Sequence, residues 1–301
     1  SHPLKGLIPF DMYDFQEESL RDFKKHRFSV ILKARQLGIS TSVAAYVCWM
    51  MLFHRDKNVL VVATKLGTAT NLVKKIKAIH KNLPQWLKIS EISIDNRTSF
   101  ELSNGSQVKA SSTSGDAGRS EALSLLVVDE AAFVEGMEEL WAGLYPTLST
   151  GGRCIALSTP NGVGNWFHKT YSEAEEQKND FHTIRLPWHV HPERDQEWFE
   201  KETRNMSRRE IAQELECNFN ASGETVVHGD DLKVILENIE EPQRRTGFDR
   251  NYWIWETPVE GRDYLTVADI ARGDGTDFSV AHVFDVQSMT QVAEYQGKIT
   301  P

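Results

Sequence analysis

Cysteine is scarce: Cys48, Cys154 and Cys217 stand at wide, irregular spacing. That spacing makes neither a disulfide framework nor a thiolate metal cluster, and it points to a reduced, intracellular compartment. Long apolar runs are missing too. The longest, Val43 to Phe53, falls short of the ~20 residues a bilayer-spanning helix needs. The N-terminus lacks a charged-then-apolar signal peptide, and Ser1-His2 reads as a tag scar. Positive charge is not in excess: 34 Lys+Arg against 43 Asp+Glu gives a formal net charge of −9. This argues against a basic coat for nucleic acid and leaves room for a few local contacts with it. Repeats and low-complexity tracts do not occur. What remains is an ordinary globular balance, 40% hydrophobic and 26% charged, over 301 residues. That length suits about two domains of ~150 residues.

From Phe28 to Trp188 short apolar runs alternate with longer mixed segments, the pattern of an α/β domain. Strands are predicted at Phe28–Lys33, Asn58–Thr64, Leu123–Asp129, Arg153–Ser158 and Phe181–Leu186. The runs VLVVAT and LSLLVV show little alternation, as in parallel strands buried on both faces. Thr98–Ser111 differs: two alternating stretches flank Asn104-Gly105, a hairpin signal. Helices are predicted at Thr41–Phe53, Thr68–Asn82 and Asp195–Asn220. The stretch Ile239–Arg262 is charged and carries Pro242, Gly247, Pro258 and Gly261, so it reads as a linker or small subdomain. From Tyr264 the pattern becomes strand–turn–strand, at Tyr264–Ile270, Phe278–Asp285 and Gln291–Tyr295, an antiparallel meander opening a further domain. The expected division is 1–230, 231–262 and 263–301, and the stop at Pro301, just after strand-like sequence, suggests a truncated chain.

The first chemical motif, Lys33-Ala34-Arg35-Gln36-Leu37-Gly38-Ile39-Ser40-Thr41, joins a strand to a helix. A loop there offers free backbone N–H groups and the positive end of the helix dipole, which suit phosphate. Gly38 permits close backbone approach, and Ser40 stands where a phosphate-loop hydroxyl meets Mg²⁺. Gln36 and Thr41 complete the candidate nucleotide contacts. The Lys expected between Gly38 and Ser40 is Ile39, and no Gly opens the loop. Alone, the motif matches an ordinary strand–loop–helix junction equally well. The chemistry needs a cation near the β- and γ-phosphates rather than in one sequence slot. Lys33 or Arg35 could fold back to provide it, or both could be solvated.

The second motif is Leu125-Leu126-Val127-Val128-Asp129-Glu130. An Asp ending a buried strand can hold Mg²⁺, and the adjacent Glu can orient and deprotonate water. An acidic N-cap is the alternative. The two motifs in this order, each at a strand end, point to a nucleotide site. The third, Leu157-Ser158-Thr159-Pro160-Asn161-Gly162, again ends a strand. Ser158 and Thr159 could sense a γ-phosphate and couple hydrolysis to movement, although Pro and Asn-Gly also make ordinary turns. Trp253 and Trp255 alternate on one face of a short strand and read as packing residues. His189 and His191 share a predicted strand face with no further ligand nearby in sequence, so no metal site is expected there.

KARQLGIST, the run from Gly118-Arg119 through LLVVDEAAF, STPNG and ADIARGDGTDFS together resemble the large terminase subunit of tailed bacteriophages, the ATP-driven DNA-packaging motor. The resemblance covers nearly the whole chain. It implies a RecA-like P-loop ATPase core over residues 1–230, with a mainly parallel α/β sheet, followed by the first strands of an RNase H-like nuclease domain. It implies ATP and Mg²⁺, and Mg²⁺ or Mn²⁺ for the nuclease of the full-length protein. The implied partners are double-stranded DNA, the procapsid portal protein and the small terminase subunit. Copies would form a ring when docked and a monomer in isolation, in the host-cell cytoplasm and without a membrane.

Residue by residue, the family's displaced loop cation fits Lys33, and its adenine-side glutamine, which follows an aromatic, fits Gln16 after Phe15. Arg119, on the loop Ser114–Arg119, matches a region where related motors carry an arginine proposed to reach a neighbour's γ-phosphate; a surface loop arginine is the other reading. Asp269 matches the first metal-binding Asp of the nuclease, whose remaining acids lie beyond residue 301, and Asp277 reads as turn chemistry. A helicase-like translocase is the alternative and would need a second α/β core after residue 230. A non-catalytic nucleotide-binding assembly factor is a third possibility, disfavoured by the acidic pair Asp129-Glu130.

Overall fold

The apolar runs of the first 190 residues become strands of one eight-stranded sheet. The computed structural model describes residues 8–111, 122–223, 238–271 and 278–298. The chain divides into two units, Ser1–Asp230 and Asp231–Pro301. The first sheet comprises β1 (Phe28–Lys33), β2 (Asn58–Ala63), β3 (Ile92–Asp95), β4 (Ser99–Leu102), β5 (Gln107–Ser111), β6 (Leu125–Asp129), β7 (Arg153–Ser158) and β8 (Phe181–Leu186). Their order is β3-β4-β5-β2-β6-β7-β1-β8. Pairing is parallel from β5 through β8 and antiparallel only along β3-β4-β5.

Helices explain why the parallel strands carry so little alternation. β1 and β6 are buried along their whole length, which requires cover on both faces. α2 (Ile39–Phe53) is apolar almost all round and buries Val43, Ala44, Val47 and Met51, as an interior helix must. α3 (Leu66–Asn82) buries Ala69, Leu72, Val73 and Ile76 at helical spacing and leaves Lys74 and Lys75 exposed. α1 (Asp14–Lys25), α4 (Met137–Leu144) and α5 (Trp166–Glu175) complete the principal helices. The predicted hairpin is present as β4–β5. Its Asn104 side chain donates to the Met51 carbonyl at 2.8 Å and accepts from the Ser106 amide at 3.0 Å. Among the described helices none is long and apolar enough to cross a membrane.

Several expectations need correction. Asp195–Asn220 is not one helix. It breaks into α6 (Gln196–Thr203), α7 (Arg208–Ile211), a π-turn Ala212–Glu216 and α8 (Phe219–Ser222). Local caps stop it: Ser207 accepts from the Glu210 amide at 3.2 Å while Glu210 accepts from the Ser207 amide at 2.7 Å, a capping box. Asn218 likewise accepts from the Ala221 amide. His189 and His191 do not share a strand face; they belong to a 3₁₀ turn around Trp188–Val190, and the His191 ring packs 4.5 Å from that of Tyr13.

The second unit contains β9 (Arg244–Thr246), β10 (Tyr252–Ile254), β11 (Tyr264–Asp269), β12 (Ser279–Asp285) and β13 (Thr290–Gly297). They form an antiparallel sheet ordered β11-β12-β13-β10-β9. The expected meander is β11-β12-β13. The stretch read as a linker supplies β9 and β10, three residues each and too short to show alternation. The rings of Trp253 and Trp255 meet at 6.1 Å, and Arg245 lies 4.3 Å above Trp253.

Candidate nucleotide site

Parallel pairing brings the C-terminal ends of β6, β7 and β1 to one sheet edge, where α/β sheets place their ligands. Leu32 lies opposite Ser158, and Leu157 opposite Asp129. Lys33, Ser158 and the Asp129-Glu130 pair therefore end neighbouring strands at one level. Lys33 is buried, and its Nζ lies 3.9 Å from Glu130 Oε1. Glu130 takes a left-handed conformation (φ 55°), uncommon for a residue with a side chain. Its amide donates to Asp129 Oδ1 at 3.1 Å.

Asp129 is only 8% exposed. Burial, and then the charge of Glu130, holds its carboxyl above the usual range, with Lys33 acting in the opposite direction. A buried carboxylate so placed lacks positive charge, and a divalent cation would supply it. Asp129 thus fits a Mg²⁺ ligand, and the Ser40 hydroxyl makes no hydrogen bond to a described residue that would keep it from the same role.

The loop after β1 is shaped by two left-handed residues. Gln36 has φ 57°, and Gly38, the N-cap of α2, has φ 75°. Glycine suits the positive φ at residue 38, and the Gln16 amide packs against it: a Cβ there would lie 2.6 Å from Gln16 Nε2, so that side chain would have to shift. The Gly38 carbonyl accepts from the Thr41 and Ser42 amides. The amides of Gly38, Ile39 and Ser40 make no hydrogen bond with a described residue, so the first turn of α2 retains its anion-binding donors. Ile39 points into the core and is buried; it adds no charge.

Gln16 is placed against this loop but is already engaged. Its Nε2 donates to the Leu37 carbonyl at 2.8 Å, and its Oε1 accepts from the Tyr13 amide at 3.1 Å. Of the two loop cations, Lys33 faces Glu130, whereas Arg35 is largely exposed and pairs with Glu214 at 3.0 Å. The Ser158 hydroxyl accepts from the Ala132 amide at 3.2 Å, and Asn161 donates to the Ala132 carbonyl at 3.2 Å. These contacts tie the β7 end to the turn that carries Glu130. Thr159 is buried beside Ser158. Asp269 ends β11 in the other unit and is exposed. Arg119 and Asp277 lie outside the described residues.

Two contributors were not readable from sequence. Arg194 donates through its two terminal nitrogens to the carbonyls of Arg35 and Gln36, each at 3.1 Å, while its guanidinium lies 4.5 Å over the Trp198 ring. Glu214, on the π-turn, accepts the Arg35 amide on its carbonyl at 2.7 Å as well as pairing with the side chain. Burial raises the Glu214 carboxyl, against the pull of Arg35. The loop has no opening glycine, and these contacts hold its strained rise from outside.

Solved structures share this fold. The ATPase domain of the Thermus phage P74-26 large terminase superimposes with a TM-score of 0.57 at 19% identity, over 70% of this chain and 94% of that one. The large terminase of a thermophilic bacteriophage gives 0.58 at 12% identity, over 96% and 69%. That of bacteriophage HK97 gives 0.58 at 14%, over 96% and 63%. The thermophilic phage protein has also been solved with ADP and with ATP-γ-S. At these identities the likeness establishes the fold, the RecA-like core of terminase ATPase domains, whereas the RNase H-like expectation for the second unit stays a proposal. Residues 30–234 match the family described as "Terminase large subunit, T4likevirus-type, N-terminal", and since they cover about two thirds of the chain, including the strand ends at Lys33, Asp129 and Ser158, this chain belongs to the terminase large-subunit family.

Proposed function

We propose that this chain is the ATP-hydrolysing part of a motor that drives double-stranded viral DNA into a procapsid. The carrying observation is the meeting of Lys33, Asp129 and Glu130 at neighbouring strand ends, together with the amides of Gly38, Ile39 and Ser40 on the loop that leaves Lys33, amides that no described residue engages. ATP would lay its phosphates against those amides, with Lys33 as the cation. Asp129 and Ser40 would hold Mg²⁺, which when bound neutralises charge on the phosphate oxygens. Glu130 would orient the attacking water and take its proton. Lys33 faces Glu130, and phosphate would compete for that cation, leaving the Glu130 carboxylate available to water. Ser158, through Ala132, would pass a change at the Glu130 turn to β7, the coupling step. Arg119 would act in trans on a neighbour's γ-phosphate. DNA, the portal and the small terminase subunit are the proposed partners, with a ring of copies on the portal and assembly in the host cytoplasm. The antiparallel sheet of the second unit supports this reading over a two-core helicase, and Asp269 would become a nuclease ligand only with further carboxylates.

Steady-state phosphate release tests the proposal, paired with binding of a fluorescent ATP analogue. Glu130→Gln should bind the analogue and lose hydrolysis. Wild-type turnover in that variant would sink the assignment.

A further inference from the structure

At the opposite end of α1 from Gln16, three metal-ligating side chains meet. Asp22 lies in the last turn of α1 and His26 is the extended C-cap that follows it, its amide donating to the Asp22 carbonyl at 2.8 Å. His182 is the second residue of β8, the edge strand, and lies opposite Ser29 of β1. The chain runs from α1 into β1 through His26 and Arg27, so this register brings His182 level with the helix end. The His26 carbonyl accepts from the Arg153 guanidinium at 2.9 Å, which fixes the connection. The His26 and His182 rings stack with centroids 3.8 Å apart and planes 7° from parallel. His182 Nε2 is 3.4 Å from Asp22 Oδ2. One ligand atom from each of the three residues lies within 4.8 Å of the other two.

We propose that Asp22, His26 and His182 form a binding site for a borderline divalent transition ion of the zinc class, separate from the Mg²⁺ site at Asp129. Two imidazole nitrogens and one carboxylate oxygen suit zinc, cobalt or nickel, whereas magnesium takes oxygen ligands and keeps its waters. Ligand atoms around a tetrahedral zinc are separated by about 3.3–3.5 Å, from bond lengths of ~2.0–2.2 Å. The cluster therefore has to close by roughly 1–1.5 Å. Rotation about side-chain torsions achieves this, fanning the stacked rings so that their nitrogens face one point. All three side chains are half-buried, so an ion and a completing water can enter. Bound there, the ion would clip the last turn of α1 to the sheet edge. The other end of α1 is already held to the phosphate loop by Gln16.

The test is calorimetric titration of the chelator-stripped, nucleotide-free chain with zinc chloride, with Mg²⁺ present. One ion per chain is expected, with a raised melting temperature and visible absorption bands when Co²⁺ replaces zinc. His182→Ala should weaken binding by at least about tenfold. Asp22→Asn keeps the side-chain shape and should weaken it similarly, which guards against misreading a folding defect in the alanine variant. An absence of zinc heat in the parent chain, displacement by Mg²⁺, or equal binding in parent and Asp22→Asn would overturn the site.

Discussion

Asp129 and Asp269 each end an apolar strand, yet the two carboxylates live in opposite conditions. Asp129 closes an inner parallel strand and is buried, with Lys33 and Glu130 around it and its carboxyl raised by burial. Asp269 closes β11, the edge of the antiparallel sheet, where Leu265 and Val267 are exposed as well. One local pattern thus produces a charged group under strain in one unit and a solvated group in the other. The difference is sheet position: an inner strand with helices on both faces excludes water, and an edge strand does not. The first condition primes an acid for a cation, because a buried carboxylate short of positive charge favours one.

The largest test of this contrast is Glu130→Gln. Loss of general-base assistance should slow hydrolysis by ~10²–10⁴-fold with little change in nucleotide affinity, measured by phosphate release. Next is Lys33→Ala, which should weaken binding of a fluorescent ATP analogue by about 10–100-fold, the worth of a charge-assisted hydrogen bond of ~1.5–3 kcal/mol. Ile39→Ala should affect affinity much less. Equal losses would mean that Arg35 leaves Glu214 and serves as the cation.

The Asp pair gives the third test. Asp129→Asn should raise stability by about 1–2 kcal/mol while abolishing Mg²⁺-dependent hydrolysis, since a buried charge is replaced by a neutral group of the same shape. The sign follows from linkage. A folded-state carboxyl raised above its unfolded value makes the folded chain hold more protons, so parental stability falls as pH rises through that interval. The gain from Asn should therefore be small near pH ~4, grow as pH rises, and level off above the folded value; denaturant melts across pH would show it. Asp269→Asn should stay within ~0.5 kcal/mol, as for other exposed sites. The chain should also show no metal-dependent plasmid nicking, and nicking that disappears in Asp269→Ala would contradict this. The smallest effect is expected for Arg119→Ala: no change in the basal rate of the isolated chain, and loss of stimulated hydrolysis only in assembled, portal-docked full-length protein. A monomer that loses its basal rate while still binding ATP would place the residue in cis.

Much of the first unit was legible because its signals are local. The unalternating runs of β2 and β6 announced inner parallel strands, and Asn104-Gly105 announced the hairpin. Lys33, Asp129 and Glu130 could be placed at strand ends for the same reason. The signals failed where elements were short or capped from within. β9 and β10 are three residues long, and the Ser207–Glu210 capping box interrupts what otherwise scans as one helix.

By itself, then, the sequence determined which segments are inner strands and that a glycine-bearing loop and an acidic pair end two of them. Burial, backbone freedom at glycine and capping act within a few residues, and a linear pattern carries them. Only the tertiary structure decided that β7 lies between β1 and β6, so that Lys33 and Glu130 come within 3.9 Å. It alone decided that Arg194 grips the loop across 158 residues of sequence, that Glu214 takes Arg35, and that His182 meets Asp22 and His26. The choice depends on sheet order and on which side chains reach across it, and those follow from packing of the whole unit rather than from any single segment.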